Sequence, residues 1–376
     1  MLILLCTKHK ALETQNTIIF NDARHLSGIS DQSIDLVVTS PPYPMIEMWD
    51  EIFCDQNEEI RQALTKNDGN QAFKLMHQEL DKVWQELYRV LKPGGIACIN
   101  IGDATRTFDG EFRLYTNHAR IINAFLQAGF NNLPNILWRK QTNAPNKFMG
   151  SGTLPPGAYV TLEHEHILIF RKGNKRQFKT EEAKLNRQQS AYFWEERNQW
   201  FSDLWDLKGT RQQLLNGKTR ERSGAYPFEL AYRLINMFSV KGDTVLDPFV
   251  GSGTTTFGAM AAGRNSIGIE IDQQFSESIF DIEEDFENRL NDRIQKRFND
   301  HLAFVKQREA EKGKDAFKHY NKHYGFPVMS SQEKDLIINY INAIEIDKKA
   351  STFQLKYIEE PVLKIFPKKS LFANTF

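Results

Sequence analysis

The stretch that decides the fold is Thr244-Val-Leu-Asp-Pro-Phe-Val-Gly-Ser-Gly-Thr-Thr255. Its first residues, Thr244–Leu246, predict a short strand that leads into a glycine loop, and the loop opens a helix predicted over Thr254–Ala262. Glycines permit positive φ angles and let a ligand approach the backbone closely. The N-terminus of the following helix offers free N–H groups to an anionic group. The stretch therefore predicts a strand–loop–helix unit that binds a small ligand.

The residues around this loop narrow the choice of ligand. Glu270 ends the next predicted strand, 17 residues beyond Gly253, and an acid at about this distance typically holds a ribose hydroxyl. No Lys follows the glycines, which excludes a Walker phosphate loop, and Thr256 replaces the third glycine of a dinucleotide loop. A cofactor with a ribose and a carboxylate in place of a pyrophosphate fits, namely S-adenosylmethionine. A glycine turn without a ligand is the alternative.

A second candidate site, Ser40-Pro-Pro-Tyr43, follows the predicted strand Ile34–Val38. In open α/β sheets, ligands bind beyond the carboxyl ends of strands, so both loops are expected to face one crevice. The two prolines stiffen the backbone and remove two N–H donors. The Ser40 hydroxyl, the carbonyl oxygens and the Tyr43 ring remain, and they suit a flat group that bears an amine. A turn closed by an aromatic side chain is the alternative.

The rest of the chain alternates between predicted strands and amphipathic helices. The predicted strands are Asn16–Phe20, Ile34–Val38, Ile96–Ile101, Leu133–Trp138, His164–Phe170 and Ser266–Glu270, and the predicted helices are Ala72–Leu91, Asn117–Ala128, Pro227–Phe238 and Gln273–Gln307. Such alternation is typical of an α/β fold with a mostly parallel sheet and helices on both faces.

Composition excludes several protein classes. The 376 residues carry 48 Lys and Arg against 48 Asp and Glu, which excludes a uniformly basic binder. Residues 139–222, however, hold sixteen Lys and Arg against nine Asp and Glu, which indicates a segment that faces a polyanion. Three cysteines without CxxC spacing exclude a thiolate zinc site and suit a reducing compartment. No apolar run approaches the length of a membrane span, so we expect a cytoplasmic protein without a membrane partner.

The two loops resemble those of the bacterial DNA amino-methyltransferases of the permuted (beta) class, in which the catalytic motif precedes the cofactor motif. Ser40–Tyr43 matches their Ser/Asn/Asp-Pro-Pro-Tyr/Phe motif, and Asp247–Gly253 matches their Asp-Pro-Phe-x-Gly-x-Gly loop. Weaker matches are Asn21–Asp22, Val90–Gly95, Glu165–Lys172 and Tyr226–Ile235. The resemblance covers about residues 16–272. One departure is that Ser223–Pro227 lacks the His that the family often carries there.

The resemblance implies a Rossmann-like, S-adenosylmethionine-dependent methyltransferase fold with a circularly permuted motif order and an inserted recognition region. It implies four regions, at 1–138 (catalytic half), 139–222 (target recognition), 223–300 (cofactor half) and 301–376 (extension of unknown role). The implied catalytic residues are Ser40, Pro41, Pro42 and Tyr43, and the implied cofactor-binding residues are Asp22, Asp247, Phe249, Gly251, Ser252, Gly253, Thr254 and Glu270. The implied partner is double-stranded DNA, and a cognate restriction endonuclease that shares the target site is compatible with this class.

The implied reaction is methylation of the exocyclic N4 amine of a flipped cytosine, because cytosine-N4 members usually carry Ser at the position of Ser40. Adenine-N6 members usually carry Asp or Asn there, and they are the first alternative. An RNA or small-molecule methyltransferase and an inactive nucleic-acid binder are further alternatives. No cysteine follows a proline, which disfavours methylation of a ring carbon. His164 and His166 share a strand face, but the sequence indicates no third ligand, so no metal site is expected.

Overall fold

The computed structural model describes residues 11–140, 149–150, 153–207 and 226–359. Its strands are β1 (Glu13–Phe20), β2 (Ile34–Thr39), β3 (Leu91–Ile101), β4 (Ala104–Phe108), β5 (Glu111–Tyr115), β6 (Phe130–Lys140), β7 (Met149–Gly150), β8 (Ala158–Tyr159), β9 (His164–Lys172), β10 (Leu204–Leu207), β11 (Thr244–Asp247), β12 (Asn265–Glu270), β13 (His319–Tyr320), β14 (Pro327–Val328), β15 (Tyr340–Asp347) and β16 (Thr352–Ile358). Its α-helices are α1 (Asp50–Gln56), α2 (Glu58–Thr65), α3 (Gly69–Val90), α4 (Asn117–Gln127), α5 (Glu181–Gln189), α6 (Trp194–Trp200), α7 (Phe228–Phe238), α8 (Thr254–Ala262), α9 (Phe275–Phe280) and α10 (Phe286–Lys312).

One large sheet organises the described residues. Its strands follow the order β10-β6-β9-β3-β2-β11-β12-β1-β16-β15. The five strands from β3 to β1 in this order are parallel to one another, and antiparallel strands β9 and β16 flank them. The predicted α/β architecture with a mostly parallel sheet is therefore confirmed.

The two strands that precede the candidate motifs are neighbours at the centre of the sheet. Every residue of β2 is buried, as expected for a strand covered on both faces. It pairs in parallel with β11, with Leu36 opposite Val245 and Val37 opposite Leu246. Parallel neighbours end at the same edge of the sheet, so Ser40 and Asp247 lie side by side although about 200 residues separate them in the chain.

Helices cover both faces of the sheet. On one face, α3 and α4 bury an apolar core that includes Trp84 and Phe125. On the other face, α7, α8 and α10 pack around residues such as Tyr232 and Phe298. Helix α3 begins where the Asp68 carboxylate accepts the backbone N–H of Gln71 at 3.0 Å, which satisfies one of the free donors of the first turn.

Two sequence-based boundaries were wrong. The strand expected over Ile96–Ile101 begins earlier, at Leu91, so Lys92–Gly95 lie inside β3, where Gly94 has a φ of +87° and the register with β2 shifts. The single helix expected over Gln273–Gln307 is divided into α9 and α10, because the chain leaves the helical path between them.

The segment predicted as a recognition insert, residues 139–222, contributes strands to the main sheet. Strand β9 lies in the sheet interior between β3 and β6, and β10 pairs with β6 at one edge. Five buried residues in β9, Ile167–Phe170 with Glu165, explain this placement. Residues 141–148, 151–152 and 208–222 of this range lie outside the described residues. From the predicted C-terminal extension, β15 and β16 add a hairpin beside β1.

Across the part of the chain that the structure describes, we find no helix both long enough and apolar enough to cross a membrane.

Candidate active site

A cavity of about 620 Å³ opens at the carboxyl ends of β1, β2, β11 and β12. Eleven of the twelve predicted site residues line it, namely Asp22, Ser40, Pro41, Pro42, Tyr43, Asp247, Phe249, Gly251, Ser252, Thr254 and Glu270. Gly253 does not form part of the wall and instead caps α8. The two motifs identified in the sequence therefore share one crevice, as the strand order requires.

Hydrogen bonds of the Tyr43 hydroxyl hold the Ser40–Tyr43 segment in place. The Ser40 hydroxyl donates a hydrogen bond to Tyr43 Oη at 3.1 Å, and Tyr43 Oη donates to Glu165 Oε2 at 2.9 Å. The Tyr43 ring packs over Gly102, where an added Cβ would lie 3.0 Å from the ring. Burial and the negative charge of Glu165 raise the pKa of Tyr43 well above its ordinary value, so the phenol keeps its proton.

Three further residues, which the sequence did not assign to the site, complete this group. Glu165, at the start of β9, accepts Asn100 Nδ2 at 2.6 Å and forms an ion pair with Lys140 at the end of β6. Asn100 Nδ2 also lies 2.8 Å from Tyr43 Oη. The sequence signals that could have identified Glu165 and Asn100 are a lone acid and a lone amide inside largely apolar strands, because a buried polar side chain needs partners.

Asp247, the first residue of the predicted cofactor loop, is fully engaged by donors. Its carboxylate accepts the hydroxyls of Thr39 and Thr255, each at 2.5 Å, and the backbone N–H of Phe249 at 3.0 Å. Tyr226 Oη, a residue that the sequence did not assign to the site, donates to the second oxygen at 3.3 Å. Burial raises the pKa of Asp247 above its ordinary value in spite of these donors. Asp247 therefore ties the cofactor loop to β2 and α8.

The glycine loop has the backbone conformation that the sequence predicted. Gly251 has a φ of +50° and Gly253 a φ of +87°, a region that favours glycine. A Cβ on Gly251 would meet no protein atom within 4 Å, whereas a Cβ on Gly253 would lie 3.1 Å from the Phe257 ring. Gly251 thus exposes backbone to the cavity, and Gly253 serves the packing of α8.

Two acids stand on the cavity wall beside this loop. Glu270 accepts the backbone N–H groups of Gly251 and Asp272, each at 2.9 Å, and burial raises its pKa. Asp22 forms an ion pair with Arg24 at 2.6 Å. Burial alone would raise the pKa of Asp22, but the hydrogen bonds and charge of Arg24 hold it below its ordinary value. Each carboxylate oxygen has two lone pairs, so both acids keep acceptor capacity toward the cavity.

A cluster of two histidines and an acid lies near the site. The His118 and His166 rings stack with centroids 4.0 Å apart, and Asp103 accepts His118 Nδ1 at 2.8 Å. Asp103 was not visible from the sequence as a neighbour of His166. Its carboxylate also accepts the backbone N–H of His118 at 3.1 Å, in the first turn of α4. This geometry explains the cluster as a contact at a helix N-terminus, and we assign no metal to it.

The chain is similar in sequence to known methyltransferases. The sequence model of the N6_N4_Mtase family, described as DNA methylase, matches residues 34–281. This chain belongs to the N6/N4 DNA methylase family. Type II methyltransferase M.MthZI of Methanothermobacter thermautotrophicus is 51% identical over 88% of this chain and 91% of its own length. Type II methyltransferase M.MjaI of Methanocaldococcus jannaschii is 53% identical over 70% of this chain and 89% of its own length.

Solved structures agree with this family assignment. A putative DNA modification methylase of Thermus thermophilus, complexed with S-adenosylmethionine, is 29% identical with a TM-score of 0.56, over 73% of this chain and 94% of that one. PvuII DNA methyltransferase, which is cytosine-N4-specific, is 18% identical with a TM-score of 0.53 and covers 74% of this chain and 93% of its own, a likeness of fold alone. The predicted Rossmann-like methyltransferase fold is confirmed, and this DNA methylase uses S-adenosylmethionine.

The cavity of this DNA methylase fits that cofactor. Gly251 leaves open space where any other residue would place a Cβ, and the acidic Glu270 stands beside it. Apolar side chains, including Phe249, Ile269 and Phe275, also line the cavity and suit an adenine ring. S-adenosylmethionine supplies an electrophilic methyl group when it is bound.

Proposed function

We propose that this DNA methylase transfers a methyl group to the exocyclic N4 amine of a flipped cytosine in duplex DNA. The observation that carries the proposal is the hydroxyl of Ser40 at the carboxyl end of β2, in the wall of the cavity that also contains the glycine loop. Ser at this position is usual among the cytosine-N4 enzymes that the sequence resembles.

The proposed catalytic residues act on the amine through hydrogen bonds. The amine of cytosine is a poor nucleophile because its lone pair is delocalised into the ring. We infer that Ser40 Oγ and the Pro41 carbonyl accept the two amine hydrogens, which draws the nitrogen toward a tetrahedral geometry and frees its lone pair. Positioning and electrostatics supply most of such a rate enhancement. The Tyr43 ring is proposed to stack on the flipped base and to offset part of the unstacking cost.

The proposed cofactor contacts follow the cavity wall. Glu270 is proposed to hold the ribose hydroxyls and Asp22 to lie beside the adenine. The Asp247–Thr254 loop, with Phe249, Gly251, Ser252 and Gly253, is proposed to cradle the rest of the cofactor, with Asp247 fixing the loop through the contacts described above. The N-terminus of α8 supports an anionic group such as the carboxylate of the cofactor.

We further propose that the recognition role lies within residues 139–222, in the stretches 141–163 and 208–222, which adjoin the ends of β6, β9 and β10 on the cavity side. Arg in such a segment can read guanine, and Asn or Gln can read adenine. The similar proteins named type II methyltransferases support a role in a restriction-modification system, in which a cognate endonuclease would share the target site. DNA treated with this enzyme should then resist an endonuclease of that specificity.

Analysis of the product tests the proposal. Duplex DNA is incubated with the enzyme and methyl-labelled S-adenosylmethionine, digested to nucleosides and analysed by mass spectrometry. N4-methylcytosine is expected. N6-methyladenine would establish the adenine alternative, and the absence of label from duplex DNA at saturating cofactor would contradict both. Parallel incubation with RNA of the same sequence separates DNA from RNA activity.

A further inference from the structure

A chain of hydrogen bonds joins Ser40 to the carboxylate of Glu165 in the wall of the cavity. Ser40 Oγ donates to Tyr43 Oη at 3.1 Å, and Tyr43 Oη donates to Glu165 Oε2 at 2.9 Å. Both hydroxyls therefore donate in the same direction, toward Glu165, which lines the same cavity together with Lys140. A proton that enters at Ser40 can leave at Glu165 if each hydroxyl passes on its own hydrogen.

Glu165 is built into the sheet as a fixed acceptor. It is 7% exposed and belongs to β9, whose antiparallel pairing with β3 places it against Gly102 and Asn100. Asn100 Nδ2 donates to Oε2 at 2.6 Å, and Lys140 forms an ion pair with Oε1. A buried carboxylate is costly unless it is paired and hydrogen-bonded, and these two partners meet that requirement.

Amine methylation creates a need for such an acceptor. As the amine nitrogen forms its bond to the methyl group through its lone pair, it develops a positive charge, and the loss of one of its two hydrogens as a proton in the same step removes that charge. A serine hydroxyl is a very weak base and cannot hold that proton. It can accept the proton only while it gives its own hydrogen to another group.

We propose that Glu165 receives the proton that the methylated amine loses, through Ser40 and Tyr43. The amine proton passes to Ser40 Oγ, the Ser40 hydrogen passes to Tyr43 Oη, and the Tyr43 hydrogen passes to Glu165 Oε2. One N–H bond breaks, one O–H bond forms on Glu165, and both hydroxyls end unchanged. Glu165 acts through other residues and is a positioning residue and proton acceptor. This inference rests on the proposed role of Ser40 at the amine.

The relay makes Tyr43 and Glu165 act as one unit. Tyr43→Phe keeps the ring and removes the hydroxyl that joins Ser40 to Glu165, and Glu165→Gln keeps the shape and removes the acceptor. We expect each variant to lower the single-turnover rate of methyl transfer by about a hundredfold or more, the usual size of an acid–base contribution. The double variant should be no slower than the slower single variant, and KM for DNA and for S-adenosylmethionine should stay near the wild-type values.

Matched controls separate this role from a structural one. Glu163→Gln changes an acid just before β9 that lies 4.0 Å from Arg139, outside the relay, and should keep the wild-type rate. Thermal unfolding and cofactor affinity establish that each variant is folded. A folded Glu165→Gln enzyme with a wild-type rate, or additive losses in the double variant, would overturn the relay. If the wild type forms no methylated cytosine or adenine, or Ser40→Ala keeps its rate, the proposed function itself fails.

Discussion

Thr39 Oγ1 donates a hydrogen bond of 2.5 Å to Asp247 Oδ1. Thr39 directly precedes the candidate catalytic segment, and Asp247 is the first residue of the cofactor loop. This bond therefore couples the two motifs through side chains in addition to the backbone pairing of β2 with β11. Both residues are almost fully buried, at 1% and 2% exposure. If either side chain is removed, water therefore cannot readily take its place as hydrogen-bond partner of the other.

Removal of this bond should destabilise the fold. Thr39→Val keeps the side-chain shape and leaves the Asp247 carboxylate without one of its donors. We expect a loss of about 1.5–3 kcal/mol in the free energy of unfolding, the usual range for a hydrogen bond to a charged group. Thr256→Val is the matched control, because Thr256 is also 1% exposed and its hydroxyl has no hydrogen-bond partner among the described residues. Equal losses in both variants, measured by denaturant titration, would contradict this role of Thr39.

Gly251 should be required for cofactor binding and not for folding. In Gly251→Val the side chain would project into the cavity, since no protein atom lies within 4 Å of its Cβ position. Calorimetry should detect no binding of S-adenosylmethionine. Gly173→Val is the control, because Gly173 also has a positive φ, +63°, with open space around it, but it follows β9 at the opposite end of the sheet. Gly173→Val should therefore carry the same kind of backbone strain and keep the wild-type affinity for S-adenosylmethionine. Normal affinity of the Gly251 variant would refute the assigned cofactor site.

Ser40→Ala should slow methyl transfer by orders of magnitude and preserve cofactor binding. The proposed role of Ser40 is toward the target amine, so the rate should fall by about 10²–10⁴. Ser33→Ala serves as the control, because Ser33 precedes β2 at its other end and donates to the Ser30 carbonyl at 2.7 Å. Rapid-quench kinetics measures the rates and calorimetry the affinities. A Ser40→Ala enzyme of near-normal rate would remove Ser40 from the mechanism.

His77 should make the folded protein less stable as the pH falls. Burial lowers the pKa of His77 to about 3, and its Nε2 lies 3.0 Å from Asn117 Oδ1. Asn117 in turn donates to the carbonyls of Pro44 and Gly102, beside the catalytic segment. Because the unfolded side chain takes up a proton near pH 6.5 and the folded one does not, His77 favours unfolding increasingly as the pH falls from 6.5 toward 3.

Between pH 7 and pH 5, His77 is expected to lower the free energy of unfolding by an amount on the order of 2 kcal/mol. Over the same interval, the free energy of unfolding of His77→Gln should therefore fall less than that of the wild type, by this amount. Urea titration at each pH measures both free energies. An identical pH dependence in His77→Gln would show that another group titrates.

Basic residues of the proposed recognition segment should determine the salt dependence of DNA binding. Some of its charges have structural partners: Lys172 donates to the Leu91 carbonyl at 2.8 Å, and Arg176 pairs with Asp243 at 2.6 Å. Neutralising Arg211, Lys218 and Arg220, which lie outside the described residues, should lower the slope of log affinity against log salt. The expected decrease is about 0.9 for each DNA phosphate that the variant no longer neutralises.

The control for this experiment neutralises Lys175, Lys179 and Lys184, which are exposed and follow the end of β9 that is remote from the cavity. This triple variant should keep the wild-type slope in fluorescence-anisotropy titrations. If the control lowers the slope and the first triple variant does not, the DNA surface lies at the other end of the sheet.

The sequence by itself determined the parts of the site that are local in the chain. The Asp247–Thr254 loop needs glycine at particular positions, and the Ser40–Tyr43 segment is stiffened by its own prolines, so each motif carries its conformation and chemistry within a few residues. The alternation of apolar strands and amphipathic helices likewise indicated the α/β class, because hydrophobic periodicity is a local property.

Only the tertiary structure decided which distant residues meet. Glu165, Asn100 and Lys140 come from three strands whose order in the sheet is not their order in the chain, and Tyr226 reaches Asp247 from the start of α7. The same sheet pairing placed β9 inside the sheet where the sequence predicted an insert. Strand order and the pairing of buried polar groups depend on long-range packing, in which a residue is stabilised by neighbours far away along the chain.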